Sequence, residues 1–566
     1  MVASILPFLS VLAEPERIHT RQFTSYLYRA FGFTSDFRFL VALGVASTVV
    51  ILLAAVVQVV RSFAVARFAM MRTYSISSRL VEVYLGQPYE FFLNRHSGTL
   101  STQILSESQQ VVTQFFRPAA EAIASGLTVT AVVALLFWIN PTVALITFGL
   151  LGGTYGIALM FSRQMLARMG LRRLEANKAR FKVVNEALGG VKYLKLTGRE
   201  RAYLNRYARP ARDYAAAQVG VMALGEMPQY VLQAIAFGGA ILFCLALLEP
   251  EDLGSGAALG GIVPLVGVFA FGAQRMMPEL SRLYRGITQM RYAAPAVEAV
   301  YKDMQRPIDD LPKSPPAPLR FRHEMRLDNV CYRYPNSSAG LDRVSMSIRA
   351  GEKIGIVGST GSGKTTLADV VLGLLWPQSG TITVDGAPIT KENQRAWRQA
   401  VGYVPQEIFL TDSSVAENIA LGLPRKQIDI EKVVRAAEAA QIDAFVRESM
   451  PQGYETFVGE RGVRLSGGQR QRLGIARALY GDADLILFDE ATSALDNLTE
   501  REVISAINAL PGDKTILMIA HRLSTLGVCD RILVLKNGRV AGLGTFQELL
   551  ESNGEFRAIA HAVEAA

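Results

Sequence analysis

The sequence predicts two domains of different class: an α-helical transmembrane domain, followed by a soluble α/β domain built around a phosphate-binding loop. Half of the 566 residues are apolar, and a chain of this length exceeds one compact core. Long apolar runs lie between Met1 and about Ala294, whereas shorter alternating blocks begin at Leu319. We place the membrane domain at 1–305, a proline-rich linker at 306–319 and the soluble domain at 320–566.

Five apolar runs are long enough to cross a bilayer, which takes about 20 residues. They are residues 39–60, 118–139, 141–161, 228–248 and 259–277. The short connections, 138–142 and the acidic 249–256, alternate with long basic ones at 61–117 and 162–227. The positive-inside rule therefore places the long connections in the cytoplasm. Their helical patterning predicts that the spanning helices extend beyond the lipid.

The start of the chain and the overall charge carry two further interpretations. Residues 1–14 are apolar but too few to span a bilayer, so we interpret them as the outer half of a first transmembrane helix whose beginning is missing. The net charge is +9, and many basic residues follow apolar runs, which favours membrane orientation over nucleic-acid binding. The three cysteines match no metal or disulfide spacing.

The stretch GIVGSTGSGKTT, residues 355–366, contains the pattern G-x-x-x-x-G-K-T between an apolar strand and a helix. In that context the loop predicts a phosphate site. Its glycines let the backbone wrap phosphates, Lys364 reaches the β and γ phosphates, and the Thr365 hydroxyl can bind Mg²⁺. The residues predicted to hold the nucleotide here are Gly358, Ser359, Thr360, Gly361, Ser362, Gly363, Lys364, Thr365 and Thr366.

The stretch DLILFDEATSALD, residues 484–496, predicts a buried strand that ends in two acids. Asp489 is predicted to serve the metal ion and Glu490 to act as general base on the attacking water. An Asp-Glu pair after a strand is by itself more often a solvated turn or helix cap. The phosphate loop makes the catalytic interpretation the stronger one.

The stretch LSGGQ, residues 465–469, resembles the signature of the ATP-binding cassette family, and the whole chain resembles an exporter half-transporter of that family. The resemblance implies ATP and Mg²⁺ as cofactors. It also assigns Tyr334 to adenine stacking, Gln406 to Mg²⁺ and to contact with the membrane domain, and His521 to the γ-phosphate. Glu460 resembles the acid of the short exporter-specific element, and Asp496 the aspartate of an inter-subunit loop.

The signature loop contains no lysine, although its Gly-rich turn leads into a helix whose N-terminus favours an anion. In this family two cassettes face each other head to tail. The resemblance therefore implies that Ser466, Gly467, Gly468 and Gln469 of one chain complete the site held by Lys364 of the other. One cassette per chain predicts a homodimer with two equivalent sites.

The substrate is predicted from the membrane half. Residues 88–104 and 185–200 resemble the cytoplasmic coupling segments of exporters; amphipathic helices on the membrane surface are the alternative. Residues 3–13, Arg61 and residues 273–282 are similar to flippases that move polyprenyl-diphosphate oligosaccharides across the bacterial inner membrane. Arg61 and Arg275 are candidates for holding a diphosphate, or else they reach the interface or pair with Glu279.

These observations predict an ATP-driven exporter or flippase in the bacterial inner membrane, with an amphipathic or lipid-linked substrate. A drug, peptide or other lipid exporter is the alternative. An ATP-gated regulator and a soluble cassette ATPase are further ones, and the apolar runs disfavour the soluble protein.

Overall fold

The computed structural model divides into two compact units: residues 1–87 with 94–309, and residues 88–93 with 310–566. It describes residues 8, 11–12, 15–20, 22–93, 95, 97–139, 141–246, 257–308, 314, 316–335, 339–459, 462–491, 497–510, 512–520 and 522–564. Of residues 1–14 only three are described, so the truncated first helix stays a prediction.

The described residues of the first unit form helices joined by short turns and contain no strand. Its helices are α1 (Arg17–Thr20), α2 (Gln22–Ala30), α3 (Asp36–Leu85), α5 (Ser97–Ser101), α6 (Ser108–Val111), α7 (Arg117–Ile139), α8 (Pro141–Gly189), α9 (Val191–Thr197), α10 (Glu200–Ala246) and α11 (Ala257–Met304), and α4 (Tyr89–Leu93) belongs to the second unit. Two π-helical turns, Thr102–Glu107 and Val112–Phe116, flank α6.

The five predicted spans lie on these long helices, except that residues 247–248 of the fourth lie outside the described residues. α3 has 50 residues, which at 1.5 Å per residue is about 75 Å, far more than the roughly 30 Å of a bilayer's hydrocarbon. Among the described residues, α3 is the one helix that meets a length and hydropathy criterion for crossing a membrane, and 6% of its most apolar window is buried. The helices therefore continue past the apolar runs, as predicted.

A buried ion pair joins the π-helical turn at Glu107 to α8. Arg173 donates two hydrogen bonds to the Glu107 carboxylate, at 2.9 and 3.3 Å, and Asn177 donates a third at 2.8 Å. Their side chains are 1% exposed for Arg173 and 0% for Glu107. A buried carboxylate is tolerated only when paired and hydrogen-bonded, so this pair fixes α8 against the turn.

We expect Arg173→Ala to destabilise the protein by about 3–5 kcal/mol, because Glu107 is then buried without a counter-charge. The measurement is denaturation of the purified chain in detergent micelles. Arg79→Ala is the matched control, since Arg79 pairs with Glu82 at 2.7 Å where both side chains are about half exposed, and such pairs contribute little. Equal stability of the two variants would contradict the structural role of the buried pair.

The second unit is an α/β domain with two sheets. Its strands are β1 (Glu324–Arg333), β2 (Gly340–Arg349), β3 (Lys353–Val357), β4 (Ser379–Val384), β5 (Ala387–Pro388), β6 (Val401–Val404), β7 (Leu485–Asp489), β8 (Thr515–Ile519), β9 (Arg531–Lys536) and β10 (Arg539–Gly544). Its helices after α11 are α12 (Lys364–Val371), α13 (Gln394–Gln399), α14 (Val415–Ile419), α15 (Ile430–Ala439), α16 (Asp443–Ser449), α17 (Gly467–Tyr480), α18 (Asn497–Asn508), α19 (Leu523–Leu526), α20 (Phe546–Ser552) and α21 (Gly554–Glu564).

The larger sheet has the order β10-β9-β3-β8-β7-β6, with parallel pairing from β9 to β6. Alternate residues of β7 enter two different cores: Leu485 and Leu487 one, Ile486 and Phe488 the other. Burial on both faces explains the unbroken apolar runs of these strands. In such sheets ligands bind at the carboxyl ends of the strands.

Candidate functional site

The phosphate loop leaves β3 at its carboxyl end and leads into α12. Gly363 has φ +104°, a backbone conformation that favours glycine. A Cβ at Gly358 would lie 2.4 Å from the Leu535 carbonyl oxygen. The loop backbone is therefore as closely packed as the glycines of the predicted motif require.

Lys364 begins α12 and is 7% exposed. Its Nζ donates to the carbonyl oxygens of Gly358 at 2.8 Å and Ser359 at 3.1 Å. Burial lowers the pKa of its ammonium group, and the negative charges of Glu490 and Asp489 act in the opposite direction. The loop thus holds a desolvated cation against its own backbone, a position suited to an anionic phosphate.

Asp489 is the last residue of β7, and Glu490 directly follows it. Glu490 has φ +50°, uncommon for a residue other than glycine, and its N–H donates to the Ile519 carbonyl on β8 at 3.1 Å. Gln406 Nε2 donates to Glu490 Oε2 at 3.1 Å. The predicted general base and the predicted metal-contacting glutamine are therefore neighbours.

Two polar residues of this region were missed by the sequence analysis. Tyr403 lies in the same GYVPQ stretch as Gln406, and its hydroxyl donates to Asp489 Oδ2 at 3.3 Å. Asp369, on α12, is 8% exposed; burial, followed by the charge of Asp489, raises its pKa to about 6. No sequence pattern pointed to Asp369, because helix packing brings it near Asp489.

The predicted adenine-stacking residue, Tyr334, lies one residue beyond β1. Its hydroxyl accepts a hydrogen bond from Thr366 Oγ1 at 3.3 Å, and its ring meets the Tyr332 ring edge-on at a centroid distance of 5.1 Å. The aromatic side chain is thus connected to the helix that starts with Lys364.

The signature loop forms the start of α17, with Ser466 as N-cap. Ser466 Oγ accepts from the Gln469 N–H at 3.3 Å, and Gln469 Oε1 accepts from the Ser466 N–H at 2.8 Å. This reciprocal capping box gives Gln469 a structural role within its own chain. Gly467 remains exposed and Gly468 is buried.

Arg477, which the sequence analysis did not single out, anchors α17 at its other end. Its guanidinium donates to the carbonyl oxygens of Phe409 at 2.8 Å and Asn418 at 2.9 Å. Burial lowers its pKa to about 10. A cavity of about 600 Å³ is lined by residues 406–410 and by residues of α17. Its lining includes Gln406, Phe409, Gly467 and Glu490.

Three predicted residues, Glu460, Asp496 and His521, lie outside the described residues. Their roles stay predictions. The first coupling segment contributes α4, whose residues belong to the second unit. Burial raises the pKa of Tyr89 on α4, and the negative charges of Asp369 and Asp489 add to the shift. The second segment forms α9, which leaves Val191, Tyr193 and Leu196 exposed.

The residue types around Asp489 fit a divalent cation. The carboxylates of Asp489 and Glu490 act on the ammonium of Lys364, and the charge of Asp489 also acts on Asp369. Among the described residues no cluster of three or more metal-ligating side chains occurs, and Mg²⁺ commonly takes one or two protein ligands plus phosphate oxygens and water. When bound with ATP, Mg²⁺ supplies neutralisation of phosphate charge.

A second cavity, of about 540 Å³, lies in the first unit and is rich in arginine. Arg61, Arg117, Arg282 and Arg285 line it together with two glutamates. Arg61 therefore lines the same cavity as three other arginines. The side chain of Arg275 is not among those described, and Glu279 accepts a hydrogen bond from Arg282 at 2.9 Å.

Known proteins match the chain over both units. Residues 5–259 match the family model "ABC transporter transmembrane region" and residues 341–493 match "ABC transporter". The ATP-dependent lipid A-core flippase of Cupriavidus metallidurans is 34% identical over 477 residues, 83% of this chain and 78% of that protein. The flippase of the same name from Alkalilimnicola ehrlichii is 31% identical over 500 residues, 86% and 82% respectively.

The chain belongs to the ABC exporter family. A solved structure of a bacterial Atm1-family ABC exporter with ATP bound superposes with a TM-score of 0.76, at 27% identity, over 100% of this chain and 99% of that one. This ABC half-transporter is thus a multi-pass membrane protein with a cytoplasmic ATPase domain. It hydrolyses ATP with Mg²⁺ to drive export or flipping, and it works as a dimer. These assignments confirm the predicted fold class, enzyme class and cofactors.

We expect Glu490→Gln to abolish steady ATP turnover while nucleotide binding persists, because the predicted base acts on water whereas Lys364 and the loop amides are predicted to hold the phosphates. The measurements are phosphate release and binding of a fluorescent ATP analogue. Glu448→Gln is the matched control, since Glu448 is exposed on α16 and should leave both unchanged. Near-normal turnover in the Glu490 variant would contradict its assignment as general base.

Proposed function

We propose that this ABC exporter is a homodimeric flippase of the bacterial inner membrane, whose substrate is a lipid with a phosphate- or diphosphate-bearing saccharide headgroup. The observation that carries the proposal is the arginine cavity of the first unit. Lipid-linked oligosaccharides and lipid A-core share this chemistry, and relatives of this chain are named for the second.

The cavity has the charge of an anion site. Its lining holds four arginines against Glu121 and Glu279. Arg117 pairs with Glu121 at 3.0 Å and Arg282 with Glu279 at 2.9 Å. Arg61 and Arg285 form no salt bridge with any described residue. Two guanidinium groups are therefore available for an anion, and their planar donors suit phosphate oxygens.

The cavity also lies at the level of the bilayer that lipid headgroups occupy. Arg61 directly follows the apolar run 39–60, Arg117 directly precedes the run 118–139, and Arg282 lies shortly after the run 259–277. All three runs meet the cytoplasmic side at these residues, which is the level of the inner-leaflet headgroups. A lipid could keep its chains in the bilayer while its headgroup occupies the cavity.

Close helix packing forms one wall of the cavity. A Cβ at Gly286 on α11 would lie 2.9 Å from both the Ala122 Cβ and the Pro118 carbonyl oxygen on α7. The absence of a side chain at Gly286 therefore lets the two helices approach. That approach brings Arg117 of α7 to the same cavity as Arg282 and Arg285 of α11.

The ATP site of this proposal keeps the predicted assignments. Lys364, with the surrounding loop residues, holds the phosphates; Thr365, Gln406 and Asp489 serve Mg²⁺; Glu490 acts as base, and His521 contacts the γ-phosphate. Tyr334 stacks on adenine. Ser466, Gly467, Gly468 and Gln469, together with Asp496, complete the site of the second copy.

We expect Arg61→Ala and Arg285→Ala each to lower flipping about ten-fold, because a charge-assisted hydrogen bond in a desolvated site contributes about 1.5–3 kcal/mol. Basal ATP turnover should persist, since neither residue belongs to the cassette. Lysine at either position should rescue flipping only in part. Arg275→Ala tests the remaining predicted arginine in the same way. The measurement is flipping in reconstituted vesicles, with a polyprenyl-diphosphate oligosaccharide in one arm and lipid A-core in the other.

Arg163→Ala is the matched control, because Arg163 is an exposed arginine that follows the apolar run 141–161 but does not line the cavity. Wild-type flipping in both cavity variants would reject the arginines as headgroup ligands. Whichever of the two lipids the wild type flips is identified as its substrate. If it moves neither, the drug or peptide exporter becomes the better assignment.

The homodimer predicts complementation between two inactive chains. In a heterodimer of Lys364→Ala and Ser466→Arg chains, one composite site carries both changes and the other carries none. Mixing the two variants should therefore restore part of the ATP hydrolysis that each lacks alone. The control is a dimer of two Lys364→Ala chains, which should stay inactive. Inactivity of verified mixed heterodimers would count against a site shared between copies.

A further inference from the structure

Tyr403 reaches the metal-site aspartate because two strands hold it there. β6 and β7 pair in parallel, with Tyr403 opposite Leu487, two residues before Asp489. Side chains two residues apart lie on the same face of a strand, so Tyr403 and Asp489 share a face. The 3.3 Å contact from the Tyr403 hydroxyl to Asp489 Oδ2 is thus set by sheet register.

Tyr403 gives Asp489 a hydrogen-bond donor that carries no charge. The Asp369 carboxylate lies near Asp489, and both act on the Tyr403 phenol. A lysine or arginine at position 403 would neutralise Asp489 and compete with a divalent cation. A phenol orients one carboxylate oxygen and adds no charge.

We propose that Tyr403 is a positioning residue for the divalent cation that accompanies ATP. Its hydroxyl donates to Oδ2 of Asp489 and so orients the carboxylate that serves the cation. This inference rests on the proposed function of Asp489 in the ATP site. It adds a residue that acts on the cation through Asp489.

Loss of the hydroxyl should weaken cation binding selectively. Removing the hydrogen-bond partner of a metal ligand typically costs about 10- to 100-fold in metal affinity. Because 3.3 Å is long for an O–H···O bond, we expect a smaller effect for Tyr403→Phe, about three- to ten-fold. Nucleotide affinity without a divalent cation should not change, since the Tyr403 hydroxyl acts through its hydrogen bond to the Asp489 carboxylate.

The test uses the full-length protein in detergent, with the non-hydrolysable analogue AMP-PNP and Mn²⁺ as a paramagnetic substitute for Mg²⁺. Mn²⁺ affinity is measured by electron paramagnetic resonance, and the affinity for a fluorescent nucleotide is measured in EDTA. Tyr403→Phe should lower the first about three- to ten-fold and leave the second at the wild-type value.

Two further variants separate the possible failures. Tyr454→Phe is the matched control, because the Tyr454 hydroxyl donates to Asp443 on α16 at 2.5 Å. Neither residue belongs to the phosphate loop, so this variant should change neither affinity. Asp489→Asn should weaken Mn²⁺ binding more than Tyr403→Phe does. Wild-type Mn²⁺ affinity in Tyr403→Phe, or an equal loss of nucleotide affinity in EDTA, would overturn the role of Tyr403. Wild-type Mn²⁺ affinity in Asp489→Asn would overturn the metal assignment itself.

Discussion

The parallel pairing of β3, β8 and β7 is the constraint on which the nucleotide unit depends. β8 lies between the strand that carries the phosphate loop and the strand that carries the acids, and it hydrogen-bonds to both. Its Ile519 carbonyl also accepts the N–H of Glu490 at 3.1 Å. Because parallel strands present their carboxyl ends at one edge, Lys364 and Glu490 share that edge, although 126 positions separate their numbers.

Two buried ionic groups, Glu107 and Lys364, differ in how their charge is compensated. Glu107 is buried and fully paired by Arg173 and Asn177, so it serves the packing of the membrane unit. Lys364 is buried too, but its contacts are to backbone carbonyls. A desolvated cation held in this way gains from an incoming phosphate. The arginine cavity of the first unit likewise has more cations than anions, since four arginines and two glutamates line it.

The signature loop shows how one short stretch can serve the fold and the function together. Ser466 and Gln469 close a capping box, which satisfies N–H groups that the first turn of α17 would otherwise leave open. Gly467 stays exposed at the positive end of this 14-residue helix. A loop with no lysine can in this way present an anion site through its backbone.

The sequence by itself determined the two-domain class, the helical spans and the phosphate loop, because apolar run length and glycine spacing are local properties. The acid pair could be identified for the same reason, since it directly follows a buried strand. Tyr403 and Asp369 could not be assigned to the site, because strand order and helix packing bring them to Asp489 and no spacing encodes that. Likewise, Arg61 was a candidate from its depth and from the flippase resemblance. Only helix packing, which includes the approach of α11 to α7 at Gly286, brought Arg282 and Arg285 to the same cavity. Contacts between residues distant in sequence depend on how elements pack, and the tertiary structure alone decided them.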